Sequence, residues 1–286
     1  MDKIFPEKIN NYLQLIRINK PIGFMLLLWP CWFSLAFLDL QQKTLLTYYV
    51  LFMLGAIVMR SAGCIINDLI DQDIDLKIER TKTRPIAAKK ISNFNAIILL
   101  IILLFIGLLI LLQFKMETIL ISLLCTPLIV LYPIMKRITF WPQLFLGIIF
   151  NWGVIICSVE FFGTVTKEYL ILYLACVFWT VGYDTIYAYQ DLKDDKKNSI
   201  KSTAVLFEDK GKYLVLTSYT LMFIMIGYLS FNQSIEMLKL LVYFSIFIYI
   251  VVNIIKWDHK SEQNSGKKFR QNNLFGAIIF LYLLSF

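Results

Sequence analysis

Runs of about twenty apolar residues, each long enough to cross a bilayer, recur nine times along this 286-residue chain, at approximately 21–39, 46–66, 94–112, 117–134, 141–161, 168–187, 213–232, 237–255 and 272–286. A bilayer core offers no water to stray backbone N–H and C=O groups, so each run has to satisfy its own and must be a helix. Residues are 58% hydrophobic and 15% aromatic, with a mean hydropathy of +0.68. That composition leaves no room for a separate soluble domain. The expected fold is therefore all-α: one polytopic membrane domain over residues 1–286 with about nine transmembrane helices.

Charge orients the bundle. Of the 28 Lys and Arg residues, 23 fall in the N-terminal segment and in every second connection, while 3 (Lys43, Lys115 and Lys167) fall on the other side. The positive-inside bias then puts the N-terminus and the loops around 67–93 and 188–212 in the cytoplasm, with the C-terminus outside. The formal net charge of +8 describes topology and anionic partners rather than nucleic acid, for which no module is visible. Residues 1–20 contain Asp2 and Glu7 and lack an A-x-A-like cleavage site, so they read as a cytoplasmic amphipathic lead-in rather than a signal or transit peptide. The Ile-, Lys- and Asn-rich composition suggests a bacterial inner membrane. The five cysteines are scattered singly through the spans and His259 is the lone histidine, which excludes zinc sites, paired haem ligands and redox CxxC chemistry.

Acidic residues are concentrated where the second span runs out, in NDLIDQDIDLKIERTKTRP. At about 100° per residue, Asp68, Asp71 and Asp75 share a wedge of roughly 60° on one helical face, with Asp73 opposite. Carboxylates crowded in this way raise one another's pKa unless a cation lies among them; oxygen-only ligands suit Mg²⁺ or Mn²⁺. A solvated helix end explains a single acidic run equally well. The sixth span, however, ends in a second run, YDTIYAYQDLKDDKKNSIKSTA. There Asp191 and Asp195 are i and i+4, and Asp184 lies seven residues earlier on the same stripe. Both runs are followed by bases: Arg80, Lys82 and Arg84 after the first, and Lys193, Lys196, Lys197 and Lys201 after the second. Two acidic helix ends on one side of the membrane, each backed by Lys and Arg, are suited to holding Mg²⁺ against a diphosphate, with the apolar bundle behind them receiving a hydrocarbon tail.

Other features fit around this pair. Arg60 lies inside the second apolar run, where a guanidinium is costly and serves either function or the nearby aspartates. Pro30 should kink the first span and Pro133 should disturb the fourth, in LYPIMKR, where Tyr132 and Lys136 (i, i+4) share a face. Pro21 and Pro142 open equivalent spans about 120 residues apart, the same interval that separates the acidic runs. Two parallel four-helix pseudo-repeats plus a ninth helix are expected.

These motifs, together with KPIGFMLLLWP, YPIMKR and WPQLFLG, resemble the UbiA family of intramembrane prenyltransferases over nearly the whole chain. The resemblance implies Mg²⁺-dependent transfer of a polyprenyl group from its diphosphate to an aromatic acid, 4-hydroxybenzoate first among the acceptors. Rival acceptors lie on the haem O, menaquinone and lipid-precursor branches. It assigns metal binding to Asp68, Asp71, Asp75, Asp191 and Asp195, of which Asp68, Asp71, Asp191 and Asp195 would be catalytic. Substrate contacts fall to Arg60, Asn67, Arg84, Tyr132, Lys136 and Lys197, with Arg60 near the acceptor and Tyr132 able to face an allylic cation. Asn19 stands in RINKP where relatives commonly carry Asp. A transporter would spread its charges through the bilayer depth, whereas these acids cluster at one interface. A CDP-alcohol phosphotransferase needs DGxxAR, which NDLIDQ lacks. Prenyl chain length depends on pocket depth, and neither it nor an oligomeric state follows from the residues alone.

Overall fold

A computed structural model gives the structure of residues 6–38, 42–231 and 236–285; the expected span ends at 39, 232 and 286 lie outside it. The described chain is helical throughout: α1 (Glu7–Leu15), α2 (Ile22–Ala36), α3 (Gln42–Ile70), α4 (Gln72–Asp75), α5 (Asn93–Leu111), α6 (Met116–Leu124), α7 (Thr126–Ile138), α8 (Pro142–Phe150), α9 (Trp152–Phe162), α10 (Lys167–Ala188), α11 (Leu192–Lys197), α12 (Thr203–Phe207), α13 (Gly211–Phe231), α14 (Met237–Ile255) and α15 (Glu262–Leu283). Among the described residues, seven helical segments are long and apolar enough to cross a membrane. Of the other two expected spans, α2 is apolar but only 15 residues long. α15 is 22 residues long and starts about ten residues before its expected position, with a polar first half.

Helix α10 is the axis of the bundle. It packs against α2, α8, α9, α13 and α15 and buries Trp179, Thr180 and Tyr183. The polar α15 is held against it by a buried amide: Asn272 Oδ1 accepts from Trp179 Nε1 at 3.0 Å and from the Tyr219 hydroxyl. By contrast, α5 turns its large apolar side chains outward, as a lipid-facing helix does.

The breaks fall in unexpected places. The fourth span divides at Cys125, where Pro127 at the start of α7 has no N–H to continue the ladder, whereas Pro133 sits inside α7 without ending it. Pro30 likewise lies within an unbroken α2. The fifth span divides at Asn151, whose amide turns back to Gly147 O (2.6 Å) and across to Thr180 Oγ1 (2.9 Å).

The two acidic runs are not continuous helices. α3 stops at Ile70 and Asp71 caps α4, with φ −98° and ψ 8°. α10 stops at Ala188 and Asp191 caps α11, with φ −110° and ψ 6°. In each, the N–H four residues later donates to the cap carbonyl at 2.8 Å (Asp75 to Asp71, Asp195 to Asp191). Neither carboxylate caps its short helix through the side chain; each is drawn instead to a base, Lys136 for Asp71 and Arg80 for Asp191, and the same turn occurs in both runs. The expected single stripe from Asp184 through Asp191 is therefore corrected to two helices.

Candidate active site

The first acidic motif is buried and neutralised by bases brought in from elsewhere. Asp68 is 1%, Asp71 0% and Asp75 2% exposed. Arg84 Nη1 lies 2.8 and 2.7 Å from the two oxygens of Asp75 and 3.2 Å from Asp68 Oδ1. Arg17 Nη2 donates to the same Asp68 oxygen at 2.6 Å. Lys136 Nζ holds Asp71 Oδ2 at 2.5 Å, and Arg137 stands 3.7 Å from Oδ1.

Local folding explains how these bases arrive. Leu15, Ile65, Ile86, Ile91 and Ala96 form a small core that pins α1 and the basic loop against α3 and α5. Arg17 follows with φ 58°, a left-handed conformation that costs a non-glycine residue about 1–2 kcal/mol and directs its guanidinium at Asp68. Thr81 Oγ1 donates to Asp75 O at 3.0 Å, fixing the turn that carries Arg80 and Arg84.

The second motif differs in its partners. Asp191 accepts from Arg80 Nε at 2.7 Å and Nη2 at 2.5 Å. Asp194 accepts the Glu79 N–H at 3.1 Å, closing the loop from the other side. Asp195 is 7% exposed and makes no ion pair among the described residues, and burial, reinforced by the charge of Asp191, pushes its carboxyl up to about 7.

All of this surrounds one cavity of about 1180 Å³, large among small-molecule sites. It has three zones. At the charged mouth are Asn67, Asp75, Arg84, Lys136, Asp191 and Asp195, joined by Arg17, Lys20, Arg80, Lys201 and Arg270. Arg60, Tyr132, Asp184 and Tyr187 line the middle. The rear is apolar, walled by Leu26, Phe52, Phe114, Ile149 and Trp152. Arg60 makes no hydrogen bond or ion pair among the described residues. Its Nε is buried without a partner, and its guanidinium lies 5.5 Å from the Phe150 ring centroid, packed so closely on Gly23 that a Cβ there would stand 2.8 Å from Nε.

The cavity gathers most of the site residues expected from sequence, with exceptions. Asp68 and Asp71 stand behind its lining rather than in it. Lys197 is exposed and outside the lining: two residues on from Asp195 is about 200° of helical rotation, so it faces away. Lys201 takes the place at the mouth, tied to Ile138 O at 3.0 Å. Arg17, Lys20 and Arg270 were not expected as site residues, whereas Arg80 and Asp184 were noted beside the acidic runs without a role of their own. Lys20 is solvent-exposed at the mouth; partial desolvation there, followed by the nearby charge of Arg17, holds its ammonium below the usual lysine range.

A divalent cation suits these donors. Among the described residues no three acidic side chains converge on one point, so a closed all-carboxylate cage is absent. Mg²⁺ does not need one, being commonly held by one or two carboxylates together with substrate phosphates and water. Asp68 Oδ2 and Asp71 Oδ1 are buried without a hydrogen-bond partner among the described residues, an expensive condition for carboxylate oxygens, and Asp195 makes no ion pair among them.

Comparison with known proteins identifies the family and the fold. Residues 27–283 match the model of the UbiA prenyltransferase family. The chain is 41% identical to a protein of Arabidopsis thaliana named 4-hydroxybenzoate polyprenyltransferase, mitochondrial, over 98% of this chain and 69% of that one. It is 40% identical to 4-hydroxybenzoate geranyltransferase 2 of Lithospermum erythrorhizon, over 98% and 91%. Its fold resembles that of a UbiA homolog from Archaeoglobus fulgidus solved with GPP and Mg²⁺, with a TM-score of 0.71 at 18% identity over 96% of this chain and 98% of that one.

Proposed function

The chain belongs to the UbiA prenyltransferase family, and from that membership we propose that it transfers a polyprenyl group from polyprenyl diphosphate to 4-hydroxybenzoate, on the ring carbon next to the hydroxyl. The observation that carries this reading is the zoning of one cavity: a mouth of acids and bases, a middle holding an unpartnered guanidinium, and an apolar rear. A diphosphate, an aromatic carboxylate and a hydrocarbon tail each have a place in that order.

Asp68, Asp71 and Asp75 on one side, and Asp191 and Asp195 on the other, would hold Mg²⁺, which when bound supplies positive charge where negative charge collects on the leaving diphosphate. Lys20, Arg80, Arg84, Lys136, Lys201 and Arg270 surround the same volume and stabilise that charge by charge-assisted hydrogen bonds. Tyr132, one helical turn from Lys136, presents a ring to the allylic cation. The apolar rear keeps water from this cation until the acceptor ring attacks. Arg60 takes the acceptor carboxylate, and Asn67 lines the mouth, two helical turns along α3 from it.

The charged mouth lies on the lysine- and arginine-rich side, and in a bacterial inner membrane it would open to the cytoplasm. The test is an assay of membranes containing the chain, with Mg²⁺, a polyprenyl diphosphate and a panel of aromatic acceptors. Prenylated 4-hydroxybenzoate is expected; prenylation of a naphthoate or haem acceptor in its place would refute the assignment. Asp71→Ala and Asp191→Ala should insert normally yet show no turnover at any Mg²⁺ concentration.

A further inference from the structure

Asp184 is a carboxylate within a membrane-spanning helix, facing the cavity, and the reading above leaves it without a task. Among the described residues it has neither a hydrogen bond nor an ion pair. An aspartate in that setting is costly and marks chemistry or a charge to be balanced. Arg60, Tyr132 and Tyr183 are the ionisable or phenolic groups that face it; Arg60 and Tyr132 line the same zone of the cavity.

Depth separates Asp184 from Arg60. Measured back from the acid that caps each motif, Arg60 is eleven residues before Asp71 and Asp184 seven before Asp191. Within the helices themselves, Arg60 is ten residues before the end of α3 at Ile70 and Asp184 four before the end of α10 at Ala188, about 15 Å and about 6 Å at the helical rise. Counted either way, Asp184 stands about 6–9 Å nearer the mouth, a step on the scale of a para-substituted benzene ring with its two substituents. An aromatic acid with its carboxylate on Arg60 points its hydroxyl end, and the carbons beside it, toward Asp184 and the diphosphate.

The other carboxylates of the two motifs are either held by bases or placed at the mouth. Asp68, Asp71, Asp75 and Asp191 are each held by a base at 2.5–2.8 Å, and Asp195 lies at the mouth beside Asp191. Resting on the reading proposed above, we infer that Asp184 is the base that takes the ring proton of the aromatic acceptor. The electrons balance as follows. The allylic C–O bond breaks with its pair leaving on the diphosphate, and the ring π pair forms the new C–C bond. The carbon attacked then carries both prenyl and hydrogen; its proton passes to an Asp184 oxygen, and the C–H pair restores aromaticity.

Asp184→Asn is the test, assayed with 4-hydroxybenzoate carrying either hydrogen or deuterium at the two carbons beside the hydroxyl. Loss of a positioned base should lower kcat by about 100-fold or more, with little change in KM for either substrate, and the deuterium isotope effect on kcat should rise above the wild-type value. Small carboxylates such as formate should partly restore Asp184→Ala. Binding of the prenyl diphosphate to both variants checks that they are folded, and Asp184→Glu, which keeps the carboxylate, should retain more activity than Asp184→Asn. If kcat is undiminished, or if it falls with an unchanged isotope effect and a raised acceptor KM, Asp184 only balances Arg60 and the inference is overturned. Wild-type membranes that fail to prenylate 4-hydroxybenzoate would instead refute the acceptor assignment.

Discussion

Arg80 crosses from the loop after the first acidic motif to grip the cap of the second, its Nε and Nη2 standing 2.7 and 2.5 Å from the two oxygens of Asp191. Residues 111 positions apart are joined at the mouth of the cavity, and the same guanidinium lies 4.9 Å from the Tyr187 ring centroid. The bases that neutralise the acids in this structure are also those that surround the space proposed for the diphosphate. Substrate and metal must therefore exchange partners with existing ion pairs.

Removal of Arg80 should damage that exchange selectively. Arg80→Ala is expected to raise the apparent constants for prenyl diphosphate and Mg²⁺ by roughly 10- to 100-fold, the scale of a lost charged hydrogen bond of about 1.5–3 kcal/mol. The acceptor constant should stay within about twofold, since Arg60 stands deeper. Steady-state kinetics with each substrate varied in turn would decide, and unchanged constants would reduce the Arg80–Asp191 pair to a surface contact.

Asp195 should make metal dependence sensitive to pH near neutrality. Its carboxyl is pushed up to about 7, first by burial and then by Asp191, so below that pH it is protonated and cannot ligate. Each unit of acidification below about 7 should raise the apparent Mg²⁺ requirement by up to about tenfold, and metal binding should release a proton. The stability linkage runs the other way: a raised carboxyl pKa means the ionised form is disfavoured in the fold, so this contribution falls as pH rises from the ordinary carboxylate range through 7. Asp195→Asn should remove both dependences, as Mg²⁺ titrations and thermal unfolding across pH 5–9 would reveal.

Chain length should be set by the rear of the cavity. Gly55 lines it, and a Cβ placed there meets no atom within 4 Å. It stands twelve residues before Asn67, about 18 Å deeper along α3, or roughly four isoprene units at about 5 Å each. Gly55→Phe should therefore spare geranyl diphosphate and exclude octaprenyl diphosphate. Relatives named for geranyl and for polyprenyl transfer are 40% and 41% identical to this chain, so overall identity does not predict the outcome. Equal turnover of both donors by the variant would place the tail elsewhere.

The helices and the two acidic motifs were legible because both depend on local pattern: apolar run length for the spans, and recurrent acid-then-base order for the site. Three kinds of feature were not. The turns at Asp71 and Asp191 escaped notice because carboxylates at i and i+4 are equally compatible with an unbroken helix. Arg17, though it opens RINKP, and Arg270, which carries no motif, reach the mouth only through packing of α1 and α15. Lys197 looked like Lys201, since a charge run does not reveal which member faces inward. Asp184 lay on the expected stripe, but only the Arg80–Asp191 pair separates its circumstances from those of its neighbour.

Arg60 should select the acceptor. Its guanidinium lies in the middle of the cavity, with Nε buried and unpartnered and the Phe150 ring beneath it, and the aspartates of the first motif are held by Arg17, Arg84 and Lys136. No ion pair ties Arg60 to Asp71 or Asp75 among the described residues, which weighs against the scaffolding role the sequence allows as an alternative. A planar fork can hold a carboxylate by two parallel hydrogen bonds, which an ammonium cannot reproduce. Arg60→Lys should thus raise the apparent constant for 4-hydroxybenzoate by roughly 10- to 100-fold, on the scale of about 1.5–3 kcal/mol, while the constant for prenyl diphosphate barely moves. The neutral analogue lacking the carboxylate gives the sharper contrast: it should be a poor acceptor for the wild type and no worse for the variant. Equal loss toward both substrates would show that Arg60 supports the mouth rather than the acceptor.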